Sequence, residues 1–209
     1  MPAHLFAPGA TPISVPWLPE PFRLAAAIAM AVIGLANAES ARAQAPLVPG
    51  QQRSGPVIQS TGMSIKVDDP TFAAPDGHVF KAVFEINAGG GDSVVVNQQL
   101  TTVARYINVH ARHGYRKSQV LSAAVVHGSG WTALLTDEAF AARFGGKPNP
   151  SRRLVEELVE QGTQIVLCGQ TAGVRGIRRD ELLPGVKVAI SAMSALEVLQ
   201  SSGYRFIPW

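Results

Sequence analysis

The residue in this chain with the most chemistry to offer is its only cysteine, Cys168. It closes the apolar run Gln164 to Cys168 (QIVLC) and is followed by Gly169-Gln170-Thr171-Ala172-Gly173, a glycine-opened turn able to start a helix. Amide N–H groups at a helix N-terminus stabilise a thiolate and lower its pKa. Arg175, Arg178 and Arg179 follow closely and can add positive potential. A thiolate so placed attacks sulfur or carbon electrophiles, or carries sulfane sulfur as a persulfide. A second apolar run ends at His127-Gly128, which makes His127 a candidate proton partner. Each of these residues also has an inert reading. A strand-end cysteine serves as small apolar filler, a strand-end histidine is satisfied by backbone, and an arginine cluster is a solvated face.

Other chemistries lack their residues. One cysteine permits neither an intrachain disulfide nor a cysteine zinc site. The histidines at 4, 78, 110, 113 and 127 do not have zinc spacing, although His110 and His113 stand three apart on a helix end. Neither a metal nor an organic cofactor is expected. Gly89-Gly90-Gly91 lacks the Lys and Ser/Thr of a phosphate-binding loop and does not fit the dinucleotide fingerprint. Gly128-Ser129-Gly130 lacks the surroundings of a nucleophile elbow. The net charge is +3 and the pI about 9.3, but Arg152-Arg153 and Arg175 to Arg179 are short clusters, each followed by acidic residues. A nucleic-acid partner is therefore not expected.

The elements that must position Cys168 and His127 can be traced in the pattern. With 209 residues, 46% of them hydrophobic and 16% charged, the chain can bury one core and carry extensions. Val79 to Ile86 (VFKAVFEI) reads as a strand. Asp92 is placed to cap a helix that carries Val96, Leu100, Val103 and Ile107 on one face. Gln119 to Val126 is a second strand, and Trp131 to Phe144 is at least partly helical. Asn149-Pro150 suggests an N-cap and a first-turn proline for a helix striped by Leu154, Val155, Leu158 and Val159 and closed by Gly162. QIVLC is the continuous apolar run of a strand buried on both faces. Val186 to Ile190 is a further strand, and Ser194 with Glu197 fits a capping box before a helix ended by Gly203. Tyr204 to Ile207 is the last strand, at an edge. Strands alternating with helices imply an α/β fold, a three-layer sandwich with a mainly parallel sheet. Ligands in such sheets bind beyond the carboxyl ends of the strands, where Cys168 and His127 stand.

The N-terminal part reads differently. Leu24 to Ala36 is uncharged and apolar, Arg23 precedes it, and Ala36-Asn37-Ala38 and Ala41-Arg42-Ala43 both suit a signal peptidase. Residues 1–43 are read as a signal peptide cleaved after Ala43, with Ala38 as the alternative. A membrane anchor is the competing reading, but the run is shorter than the ~20 residues a span needs. The mature protein is then periplasmic or secreted, with membrane attachment only through an uncleaved signal. A lone thiol is unusual in an oxidising compartment. Residues 44–77, rich in Pro, Gly and Ser, are expected to form a flexible arm ahead of a domain at 78–209.

Cys168-Gly169, Arg175-Gly176-Ile177, Leu182 with Pro184-Gly185-Val186, and Leu199-Gln200 with Gly203-Tyr204 together resemble the DsrE/DsrF-like family. The strand ending in His127-Gly128 and the Asn149-Pro150 helix start resemble it too, so that the likeness spans Val79 to Trp209. The family is related to intracellular sulfur-oxidation and sulfur-relay proteins. The resemblance implies the three-layer fold, assembly into trimers or hexamers, and a cysteine that accepts and passes sulfur as a persulfide, a role that falls on Cys168. The expectation is an exported protein that binds or relays sulfane sulfur. Gly169, Gln170 and Thr171 would stabilise the thiolate, Arg175 would assist electrostatically, and His127 would move the proton. Its partner would be a sulfur donor or acceptor protein, or a small sulfur compound. Sulfurtransferase and sulfur carrier both remain open. The competing expectations are a non-catalytic oligomeric scaffold with Cys168 in its core, and a small-molecule binder using the crevice between His127 and Cys168.

Overall fold

In the computed structural model, which describes residues 52–89 and 95–208, five strands form one sheet. They are β1 (Phe80–Ile86), β2 (Val120–Val126), β3 (Gln164–Cys168), β4 (Lys187–Ala189) and β5 (Arg205–Phe206). Their order is β4-β3-β2-β1-β5, and every pairing is parallel. The expected α/β sandwich is present. The signal segment at 1–43, the turn at Gly90-Gly91 and the expected cap Asp92 lie outside the described residues.

Side chains alternate along each strand, and the two faces build separate clusters. One holds Phe84, Ala124, Ile165 and Leu167 against helices α1 (Gln98–Arg112), α2 (Asp137–Arg143), α3 (Arg152–Gln161) and α4 (Gly169–Arg175). The other holds Val83, Ala123, Val125, Val166 and Cys168 against α5 (Ala192–Ser201). Because both faces of β3 are covered, its sequence is apolar without interruption. The α5 side is lined by small residues, so that helix sits on a thinner core. No helix among the described residues is long and apolar enough to cross a membrane.

Three helix starts differ from the sequence expectation. Asn97 caps α1, its side chain accepting from the Leu100 amide at 3.0 Å, so Val96 precedes the helix instead of lying on it. Asn149 caps nothing. It is buried, so its amide must be satisfied, and it donates to the carbonyls of Ala133 and Leu135 while accepting from Ser151 N. The helix α3 starts two residues beyond Pro150, and Ser151 Oγ accepts from Asn97 N across the inter-helix gap. At α5 the cap is Ser191, with Ser194 as its reciprocal partner at the third helical position. The stretch 131–144 is a 3-10 turn (Gly130–Leu134) followed by α2, which Thr136 caps.

The largest difference falls in the arm. From Arg53 to Val67 the chain is clamped onto the domain, and Ile58 is fully buried in the main core. Asn108, itself fully buried in α1, accepts from Val57 N and Ile58 N and donates to the carbonyls of Ile58, Thr61 and Gly62. Arg112 donates to the carbonyls of Arg53, Ser54 and Gly55. From α3, Glu157 accepts from Gln59 N, Ser60 N and Ser60 Oγ. Gly62 has φ +75°, and a Cβ there would meet the Ala104 backbone at 2.6 Å. Only glycine fits that approach. The domain and this segment form one compact unit.

Candidate functional site

Cys168 is the last residue of β3 and, at the same time, the N-cap of α4. The strand therefore delivers the sulfur to the carboxyl edge of the sheet, and the turn into α4 wraps amides around it. Gly169 makes this turn because a Cβ there would collide with the Ala189 carbonyl oxygen at the end of β4. Gln170 Nε2 then donates to Ile190 O at 3.2 Å and ties the start of α4 to the loop after β4.

Burial pushes the Cys168 thiol up, with 6% of the residue exposed. Hydrogen bonds outweigh that effect. The amide and hydroxyl of Thr171, the amide of Ala192 and the amide of Gln170 all reach the sulfur, and the net result lies below the ordinary thiol value of 9.0. Hydrogen bonds of this kind favour the charged form. The first turns of two helices, α4 and α5, thus point donors at one sulfur atom. Of the three loop residues read as thiolate-stabilising, Gln170 and Thr171 contact the sulfur. Gly169 supplies the close approach.

His127 follows β2, the strand next to β3. Val126 pairs with Leu167, so one step further along both strands stand His127 and Cys168. The two belong to the face covered by α5, as the alternation through Val125 and Val166 requires. The His127 ring is committed to a third residue: its Nε2 lies 2.9 Å from Glu85 Oε1 on β1. A carboxylate only accepts, so Nε2 carries the hydrogen, and in the neutral ring Nδ1 keeps the lone pair. Glu85, one residue before the end of β1, went unnoticed in the sequence, although period-two alternation puts it on the face of Val83.

Arg175 is not part of this constellation. It ends α4, whose seven residues span about 10 Å at the helical rise, and it is exposed at the far end from Cys168. Nor do the other arginines serve the sulfur. Arg178 pairs with Asp180 and Glu181, and Arg179 is exposed. The expected positive potential is replaced by amide dipoles. The Ala192 amide reaches the sulfur because Ser191 caps α5, three residues before the Ser194 that the capping pattern suggests.

Between β4 and α5 lies a groove of about 410 Å³, bordered by Ala189, Ile190, Ser194 and Val198. Ile190 and Met193 are about four-fifths exposed beside it, at 81% and 78%. Neither Cys168 nor His127 borders the groove. Among the described residues no group of three His, Cys, Asp or Glu could hold a metal ion.

Residues 94–209 match the sequence profile of the DsrE/DsrF-like family. The chain belongs to that family. The match takes in α1, the 3-10 turn, strands β2 to β5 and the Cys168 turn, whereas the clamped arm and β1 lie before it. The DsrE/DsrF-like family suggests sulfur relay at the level of the family. A protein of unknown function from Methanobacterium thermoautotrophicum, MTH1491, has a solved structure similar to this chain. It is 23% identical with a TM-score of 0.46, over 61% of this chain and 97% of that one. No curated protein matches the chain.

Proposed function

We propose that this DsrE/DsrF-like protein binds or relays sulfane sulfur through a persulfide on Cys168. The observation that carries this reading is the set of donors on the sulfur: Gln170, Thr171 and Ala192, which lower the thiol pKa against the opposing effect of burial. The step is redox-neutral. The Cys168 thiolate attacks the outer sulfur of thiosulfate, the S–S bond breaks, sulfite leaves with the electron pair, and Cys168 keeps one sulfur as a persulfide anion. The same donors then hold the persulfide. His127, fixed by Glu85, takes the proton of an acceptor thiol on its free Nδ1, and the resulting thiolate attacks the outer sulfur, carries it off as a persulfide and leaves Cys168 as the thiolate. No metal or organic cofactor takes part. Residues 1–43 direct the chain to the periplasm or outside the cell. Ile190 and Met193 along the β4 edge bury themselves in a homo-oligomer, a trimer or hexamer.

Purified protein incubated with thiosulfate or polysulfide is expected to gain one sulfur atom by intact mass, and to lose it on adding a thiol. Absence of the gain in the wild type, or its persistence in Cys168→Ser, rejects the reading. The scaffold reading is favoured by one observation, the 6% exposure of Cys168 among Val166, Ala192 and Ala195. It expects the thiol to resist alkylation until the protein unfolds, and Cys168→Ala to change stability alone.

A further inference from the structure

A second cavity lies far from Cys168. It has a volume of about 730 Å³ and opens between residues 66–75 of the arm, the start of β1 and the C-terminal end of α1. Since all strands are parallel, the start of β1 is at the opposite edge of the sheet from the end of β3. Pockets of 300–1,000 Å³ with apolar walls and a few fixed polar groups suit small organic molecules.

The walls are aromatic. Phe80 meets His78 and Tyr115 edge to face and His110 at a tilt, with ring centroids 4.6, 4.9 and 4.2 Å away. At the rim stands Phe72, which is 94% exposed, an unusual state for so large an apolar ring. The polar groups are mostly hydrogen-bond acceptors. His110 spends Nδ1–H on the Tyr106 carbonyl at 2.7 Å, which leaves the lone pair on Nε2. Burial also lowers the His110 pKa and favours the neutral ring. His113 donates from Nδ1 to Val109 O and accepts from Val67 N at Nε2, so it holds the arm in place and has no donor to spare. The cation on the wall, Lys66, is paired with Asp68 at 3.2 Å. Asp69 remains, exposed and held at φ +54°, a left-handed conformation that a residue other than glycine adopts at a cost. The three histidines do not form a metal-ligating group.

We propose that this cavity binds a planar organic cation with N–H donors, of the aromatic amidine or amine class, with Asp69 as its charge partner and Phe72, Phe80 and Tyr115 as its aromatic walls. Aromatic faces attract cations, a carboxylate with no cation partner among the described residues attracts them further, and the lone pair on His110 Nε2 receives an N–H group. The other lining groups add no net positive charge while the histidines are neutral.

Three isosteric probes separate charge from shape: benzamidine (cation), benzamide (neutral) and benzoate (anion), titrated into the folded full-length protein by ligand-observed NMR. Benzamidine is expected to bind about tenfold more tightly than benzamide, which corresponds to about 1.4 kcal/mol, and benzoate not at all. Asp69→Asn should abolish the preference for the cation, and Phe72→Ala should weaken benzamidine and benzamide alike. Both positions are exposed, and asparagine tolerates the left-handed backbone, so folding is preserved. Equal binding of the three probes, binding of none, or benzamidine binding that survives both substitutions would overturn the proposal.

Discussion

Two segments of this chain are ordered by opposite means. From Gln164 to Phe206 the structure is regular: an apolar strand, a glycine turn, a short helix, an edge strand and a capped helix follow one another, the strands joined to the sheet by backbone pairing. From Arg53 to Val67 hardly any regular structure exists beyond one bridge between Arg53 and Ser64. That segment is held by Asn108, Arg112 and Glu157, each about 40 or more residues away in sequence. The first segment draws its hydrogen bonds from its own helices and from backbone pairing within the sheet. The second borrows them from side chains on α1 and α3, whose job is to satisfy an irregular backbone that would otherwise remain unpaired.

This contrast can be broken first at Asn108. Asn108→Leu removes the side-chain partner of the Val57, Ile58, Thr61 and Gly62 backbone and leaves buried polar groups unpaired, at an expected cost of about 3 kcal/mol. Limited proteolysis should cut within 52–67 while β2 to β5 resist. Uniform proteolysis of the whole domain would show that the arm is integral to the core and not an appended clamp. Next in size, Gly62→Ala puts a Cβ against the α1 backbone at a positive φ and should cost about 2 kcal/mol by thermal denaturation.

The smallest effect is pH-dependent. Burial raises the Glu157 pKa, but hydrogen bonds from the Ser60 amide and hydroxyl, with Arg153, outweigh it, so the carboxyl lies below its ordinary 4.5. A depressed folded pKa stabilises above 4.5, and the contribution is lost as pH falls through the folded value. Acidification below 4.5 should therefore loosen the arm slightly. Hydrogen exchange at Gln59 and Ser60 should report it, and Glu157→Gln should remove the dependence. Unchanged acid sensitivity in that variant would assign the effect to other carboxyls.

The same contrast decides what could be read in advance. The strand ending at Cys168, the faces of α1 and α3 and the parallel α/β architecture follow from periodicity and from apolar run lengths. The placement of His127 beside Cys168 follows from register once β2 and β3 are neighbours. The arm was opaque because its partners are single polar residues in helices, Asn108 and Glu157, which periodicity treats as incidental. Asn149 misled for a related reason: a residue suited to capping was instead recruited to the carbonyls of a neighbouring turn. In the site, Arg175 suggested charge through proximity in sequence, but one short helix carries it away from the sulfur. The Ala192 amide, distant in sequence, arrives because β4 runs beside β3.

Amides from two helix starts lower the pKa of the Cys168 thiol. The most direct measurement is the pH profile of Cys168 alkylation in the folded protein, taken alongside Thr171→Val, which loses the hydroxyl donor. The expected midpoint lies below 9.0 in the wild type and higher in the variant. A midpoint at or above 9.0 that Thr171→Val leaves unmoved, or a thiol inert until unfolding, would contradict it.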